Sequence, residues 1–128
     1  MFLIHIFVEM ANTFNKFVDY IIYGNLKEAK AFYVSHPDIN ISVFDEYVFK
    51  WVCEKGHLKV AKWLLEIKPG INISVSNEHA FRITCYYNHL EVVKWLLKIK
   101  QDINISIADN WAFRYGNLYI KKLLAHYI

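Results

Sequence analysis

The chain has 128 residues, 55% of them hydrophobic and 17% aromatic, which is ample material for a packed core and excludes an intrinsically disordered segment. Its 15 basic and 12 acidic residues leave a formal charge of +3, too slight to point to a polyanionic partner by itself. Two cysteines exclude a disulfide scaffold, and four glycines with two prolines exclude collagen-like or linker-like sequence.

The first segment in the chain is Met1-Phe-Leu-Ile-His-Ile-Phe-Val8. It is apolar, but it lacks a basic leader and a small-residue cleavage site, and Glu9 follows at once. It therefore reads as an apolar N-terminal cap over residues 1–11. No run reaches the ~18 uninterrupted apolar residues that suggest a membrane helix. The expectation is a soluble, intracellular chain with no membrane partner.

Beyond the cap the sequence repeats itself. Ile39-Asn-Ile-Ser42 returns as Ile71-Asn-Ile-Ser74 and as Ile103-Asn-Ile-Ser106, at a strict spacing of 32. In the same register Lys55-Gly-His-Leu-Lys-Val-Ala-Lys-Trp-Leu-Leu65 lies over Tyr87-Asn-His-Leu-Glu-Val-Val-Lys-Trp-Leu-Leu97. The chain divides into a degenerate first copy (12–38), two full copies (39–70 and 71–102) and a truncated last copy (103–128). The last copy lacks four residues between Arg114 and Leu118, about one helical turn, so its first helix should be a stub.

Within a copy, the alternation of Ile-Asn-Ile-Ser suits a short extended hairpin arm, and the Ser/Asp/Asn/Glu residues after it have turn and N-cap chemistry. Apolar residues from Glu46 to Lys55 and from Glu78 to Tyr87 are spaced for one buried helix face. Gly56-His57 or Asn88-His89 breaks that helix. A second follows, with Leu58, Ala61, Leu64 and Leu65 on one side, and Pro69-Gly70 or Gln101-Asp102 ends it. Neither helix pair can bury its faces alone, so the copies must stack into an all-α repeat solenoid of about four units joined by short hairpin loops.

Gly56-His-Leu-Lys-Val-Ala-Lys-Trp-Leu-Leu65 and His89-Leu-Glu-Val-Val-Lys-Trp-Leu-Leu97 resemble the second-helix motif of ankyrin repeats, and Asp38-Ile-Asn40, Gly70-Ile-Asn72 and Asp102-Ile-Asn104 resemble the family's hairpin. Two departures stand out. The period is 32 against the usual 33, and aromatic-or-His, small, Phe, then Lys or Arg replaces the Thr-Pro-Leu-His opening of the first helix. That wording resembles the ankyrin repeat proteins of giant DNA viruses of amoebae. The resemblance implies a non-enzymatic module that binds a protein, with the cytoplasm of an infected host cell as the setting and a host protein as the partner.

Lys50, Arg82 and Arg114 recur once per copy. A basic ladder can clamp an acidic partner, but the favoured reading is that each reaches a loop carbonyl or a carboxylate, with Asp45, Asn77, Asp109, Glu46 and Glu78 supplying acceptors. A second row, Lys30, Lys62, Lys94 and Lys122, reads as a solvated face, and without an aromatic stacking motif it argues against nucleic acid. Trp63 and Trp95 read as packing. Cys53 and Cys85 fall one repeat apart, ~10 Å, beyond the ~7 Å reach of a disulfide, and are expected to be reduced core residues. His57 and His89 carry no companion ligands at metal spacing and should hydrogen-bond at the inter-helix turn, and Asn40, Asn72 and Asn104 should bond nearby loop backbone. No catalytic motif, metal site or cofactor is expected.

Against this fixed framework a few positions vary. Phe44, Ser76 and Ala108 differ at one loop position, Tyr47, His79 and Trp111 at another, and Trp51, Ile83 and Tyr115 on the helix. Tyr and Trp beside Arg is composition typical of binding hot spots. The expected partner-binding residues are Tyr47, Trp51, His79, Arg82, Tyr86, Trp111 and Arg114, on the concave face of the stack. End-to-end self-association, or membership of a longer array, is the alternative, because both ends are apolar: Met1 to Val8 at one, and Leu, Tyr and Ile in Lys121-Lys-Leu-Leu-Ala-His-Tyr-Ile128 at the other.

Overall fold

A computed structural model describes residues 1–127, the side chains of Ala108 and Asp109 excepted. What the sequence suggested for those two side chains and for Ile128 lies outside the described residues. The elements come as four helix pairs: α1 (Phe2–Ile22) with α2 (Leu26–Ser35), α3 (Val43–Lys55) with α4 (Leu58–Ile67), α5 (Val75–Tyr86) with α6 (Leu90–Ile99), and α7 (Ile107–Tyr115) with α8 (Leu118–Ala125). The first helices form the spine, with α1 against α3, α3 against α5 and α5 against α7. The architecture is an all-α solenoid, as the repeat pattern requires. At 9 residues α7 is shorter than α3 or α5, in keeping with the residues missing from the last copy.

The core repeats with the sequence. Phe17, Phe49 and Phe81, one period apart, are fully buried along the spine, and Leu64, Leu96 and Leu124 do the same along the second helices. Cys53 and Cys85 are free and buried beside the Phe ladder. Burial pushes the Cys85 thiol up to about 12 and the Cys53 thiol higher still, so neither is ionised near neutrality.

The Ile-Asn-Ile-Ser segments correct one expectation. They are not extended arms, and there is no strand among the described residues. Each Asn turns its side-chain oxygen back onto the Ser backbone N–H two residues later, at 3.0 Å for Asn40, 3.2 Å for Asn72 and 3.1 Å for Asn104. An Asx turn of this kind curls the chain where a ladder would need it straight. The polar cluster that follows does not cap the helices either, for no side-chain cap bond forms at α3 or α5. Instead Phe44, Asp45 and Glu46, and again Ser76, Asn77 and Glu78, take left-handed backbone angles, so the regular helix begins at Tyr47 and His79. Each such residue costs about 1–2 kcal/mol.

What holds these turns is the second correction. Glu46 and Glu78 were expected to neutralise the basic ladder, yet both are buried, and each accepts a hydrogen bond from the loop of the following repeat: Asn72 N–H at 2.7 Å and Asn104 N–H at 2.8 Å. The histidines tie the units in the opposite direction. His57 Nε2 donates to the Ile22 carbonyl at 2.8 Å, and His89 Nε2 to the Glu54 carbonyl at 2.7 Å. A glycine precedes each contact. Gly24 and Gly56 have φ of +72° and +74°, and a Cβ there would lie 3.0 Å from the His57 ring and 2.5 Å from the His89 ring. Glycine is thus required twice over, by its backbone angle and by the imidazole of the next repeat. The third such position is Asn88, at φ +60°, and the residue facing it is Asn117, whose N–H donates to Asn88 Oδ1 at 2.7 Å.

A candidate protein-binding face

The seven expected contact residues lie on three successive first helices, Tyr47 and Trp51 on α3, His79, Arg82 and Tyr86 on α5, and Trp111 and Arg114 on α7, and all are exposed or half-buried. At one end Tyr47 and Trp51, one helical turn apart, meet edge to face with ring centroids 5.0 Å apart. At the other end a larger cluster spans two repeats. Trp111 stacks on Tyr86 at 6.2 Å and packs against Tyr115 at 4.3 Å, while Tyr86 also meets Tyr87 at 5.1 Å. The Arg82 guanidinium lies 5.8 Å from the Trp111 ring centre and that of Arg114 5.8 Å from Tyr115. Cation–π contacts of this geometry are worth about 0.5–1 kcal/mol at exposed sites, and they hold the arginines against the rings.

The middle of the row is cationic. Lys50 Nζ donates to Ser76 Oγ of the next repeat at 3.4 Å, and Arg82 reaches the Asn77 carbonyl through Nε at 2.9 Å and the Ser76 carbonyl through a terminal nitrogen at 3.4 Å. Loop carbonyls and a hydroxyl therefore satisfy these two side chains, without a carboxylate. His79 sits between them. Partial burial, then the charges of Lys50 and Arg82, hold its imidazole below the ordinary histidine pKa, with Glu54 opposing more weakly. The face thus carries fixed positive charge and a histidine kept neutral at neutral pH.

Tyr115 and Tyr87 belong to the aromatic cluster although neither was counted among the binding residues. The available signal was the spacing of Trp111 and Tyr115, four apart on one helix. Trp111 Nε1 is buried with no hydrogen-bond partner among the described residues, and the half-buried ring is held by Tyr86, Tyr115 and Arg82. Phe44 stands 79% exposed beside Tyr47. On the other side of the stack Lys30, Lys62, Lys94 and Lys122 are exposed, Trp63 is buried and Trp95 half-buried. No group of three or more His, Cys, Asp or Glu residues placed to hold a metal exists among the described residues, and no described helix is long and apolar enough to cross a membrane.

These features define a class first: a stacked helix-pair repeat protein that presents an extended aromatic and basic surface. A family model described as ankyrin repeats (3 copies) matches residues 6–109, well over half of the chain, and the protein belongs to the ankyrin repeat family. Comparison with curated proteins and with solved structures gave no match. Ankyrin repeats generally mediate protein–protein interaction, and such domains are typically non-enzymatic.

Proposed function

We propose that this protein is a non-enzymatic adaptor that binds a protein partner through the concave face of the stack, with Tyr47, Trp51, His79, Arg82, Tyr86, Trp111 and Arg114 as the principal contacts. The observation that carries this reading is the cluster of Tyr86, Trp111 and Tyr115 with Arg82 and Arg114 laid against it. Its rings are held by one another before any partner arrives, which lowers the ordering cost of binding. The setting implied by the sequence wording, a host protein in the cytoplasm of an infected cell, is part of the same proposal.

Affinity capture followed by mass spectrometry tests it, comparing wild type with an Arg82→Glu/Tyr86→Ala variant. A partner retained by wild type and lost by the variant, with unchanged circular dichroism, is the expected result. Equal recovery by both would overturn the assignment of this face. End-to-end association is the second reading, supported by Leu118, Tyr119 and Tyr127 exposed at one end of the stack and Phe2, Leu3 and Phe7 at the other. A head-to-tail contact of this kind is heterologous and does not close, so it predicts open filaments whose length grows with concentration.

A further inference from the structure

The start of α1 is the least accounted-for part of the molecule. One period before Tyr47 and His79, where the regular first helices begin, lies Asn15, yet α1 begins at Phe2. Residues 2–14 are therefore about 20 Å of helix that the other repeats do not have, running where they carry a turn. Seven of the first ten residues are large hydrophobics between 51% and 102% exposed. Leu3 and Ile4, and likewise Phe7 and Val8, are neighbours in sequence and so point about 100° apart, which makes the segment apolar on several sides. A helix of that character is ordinarily buried.

Alongside it lies a cleft of about 1000 Å³. One wall is the stripe Ile6, Met10 and Phe14 of α1, and the other includes Val43, Phe44 and Tyr47. No described residue fills it. We propose that two copies of this chain pair through this region, each laying the first turns of its α1 in the cleft of the other. The contact is isologous, the same patch serving both partners, and so it closes at a dimer.

Three observations favour a second copy as the occupant. Seven exposed large hydrophobics of residues 1–10 and the apolar walls of the cleft are the two halves of one contact, and burying both is of the order of the ~800 Å² that each partner contributes to a standard interface. Residues 1–15 contain no lysine or arginine and one carboxylate, Glu9, which lies 3.0 Å from His5 of its own helix, so like segments carry little charge to oppose their approach. A helix that lies on a lipid surface would carry basic residues along its polar side, and here the first is Lys16.

Sedimentation equilibrium of the whole chain over a wide concentration range is the test. The expected result is a monomer–dimer equilibrium, weakened at least about 30-fold by Phe7→Asp and by Phe44→Asp, one on each side of the contact. Both positions are exposed in the monomer, so circular dichroism of the dilute variants should match wild type. Should one variant lose helix, the other decides. The Arg82→Glu/Tyr86→Ala variant should dimerise like wild type, which separates this contact from the Arg82–Tyr86–Trp111 end of the concave face. Three outcomes would overturn the proposal: a wild-type monomer at every concentration, an association that survives both aspartate variants or yields instead to Tyr119→Asp, or a monomer that floats with phosphatidylcholine/phosphatidylserine vesicles.

Discussion

The joint between the two central repeats and the joints that flank it use the same parts in different number. Between repeats two and three, Glu46 reaches forward to the next loop and His89 reaches back to the helix before it, so both ties close. The first joint has the histidine tie of His57 but no glutamate, because Phe14 stands at that register position. The last has the glutamate tie of Glu78 but Asn117 in place of the histidine. A stack in which each unit touches only its neighbours has a stability that is close to a sum over joints, so the ends should open before the middle. The histidine and the glutamate thus do separate work, one fixing the inter-helix turn and the other the left-handed loop.

Replacing Gly56 by alanine attacks the central joint hardest. The new Cβ falls on the His89 ring at a left-handed backbone position, and a loss of about 2–4 kcal/mol is expected by urea unfolding. Asn88→Ala, at the matching position of the last joint, should cost only about 1 kcal/mol, because Asn117 has no ring for a Cβ to strike. Equal losses would show that the glycine–histidine fit is not what distinguishes the joints.

Removing the histidines sharpens the comparison further. His89→Ala leaves the Glu46 tie in place and should lower global stability by about 1–3 kcal/mol, while His57→Ala leaves the first joint with neither tie. Hydrogen exchange of the second variant should therefore quicken in α1 and α2 ahead of the rest. Uniform acceleration across all eight helices would contradict separate joints.

The smallest effect concerns His79. A histidine held below its ordinary pKa binds fewer protons folded than unfolded between the two values, so its contribution is present above the unfolded pKa, near 6.5, and is lost as pH falls through that window. Arg82→Gln should raise the His79 pKa, as read by NMR titration, and weaken this acid sensitivity. No change on titration would show that the arginine charge does not reach the ring.

The legible and the illegible parts of the chain differ in the distance over which residues act. Phe49 and Phe81, Leu64 and Leu96, and the turn histidines announce themselves by period, because a stack imposes the same burial on each copy. Tyr47, His79 and Trp111 are visible for a related reason, since a fixed register exposes a position that varies between copies, whereas Arg82 is visible because it recurs with Lys50 and Arg114. Glu46 was misread because its charge was weighed against neighbours in sequence, while its partner, Asn72, is 26 residues on. Residues 39–42 were misread because apolar–polar alternation fits an extended strand as well as a chain curled by its own asparagine. The reach of α1 to Phe2 had no signal of its own, since a helix apolar on several sides has no periodicity to detect.

The two cysteines give the spine a chemical property of its own. Fully enclosed beside the Phe ladder and with protonated thiols, Cys53 and Cys85 are shielded from oxidants and alkylating agents for as long as the first helices stay together. Parting of those helices is what would expose sulfur, and with it the risk of crosslinking between unfolded chains. An intact stack therefore keeps both thiols out of reach through packing alone.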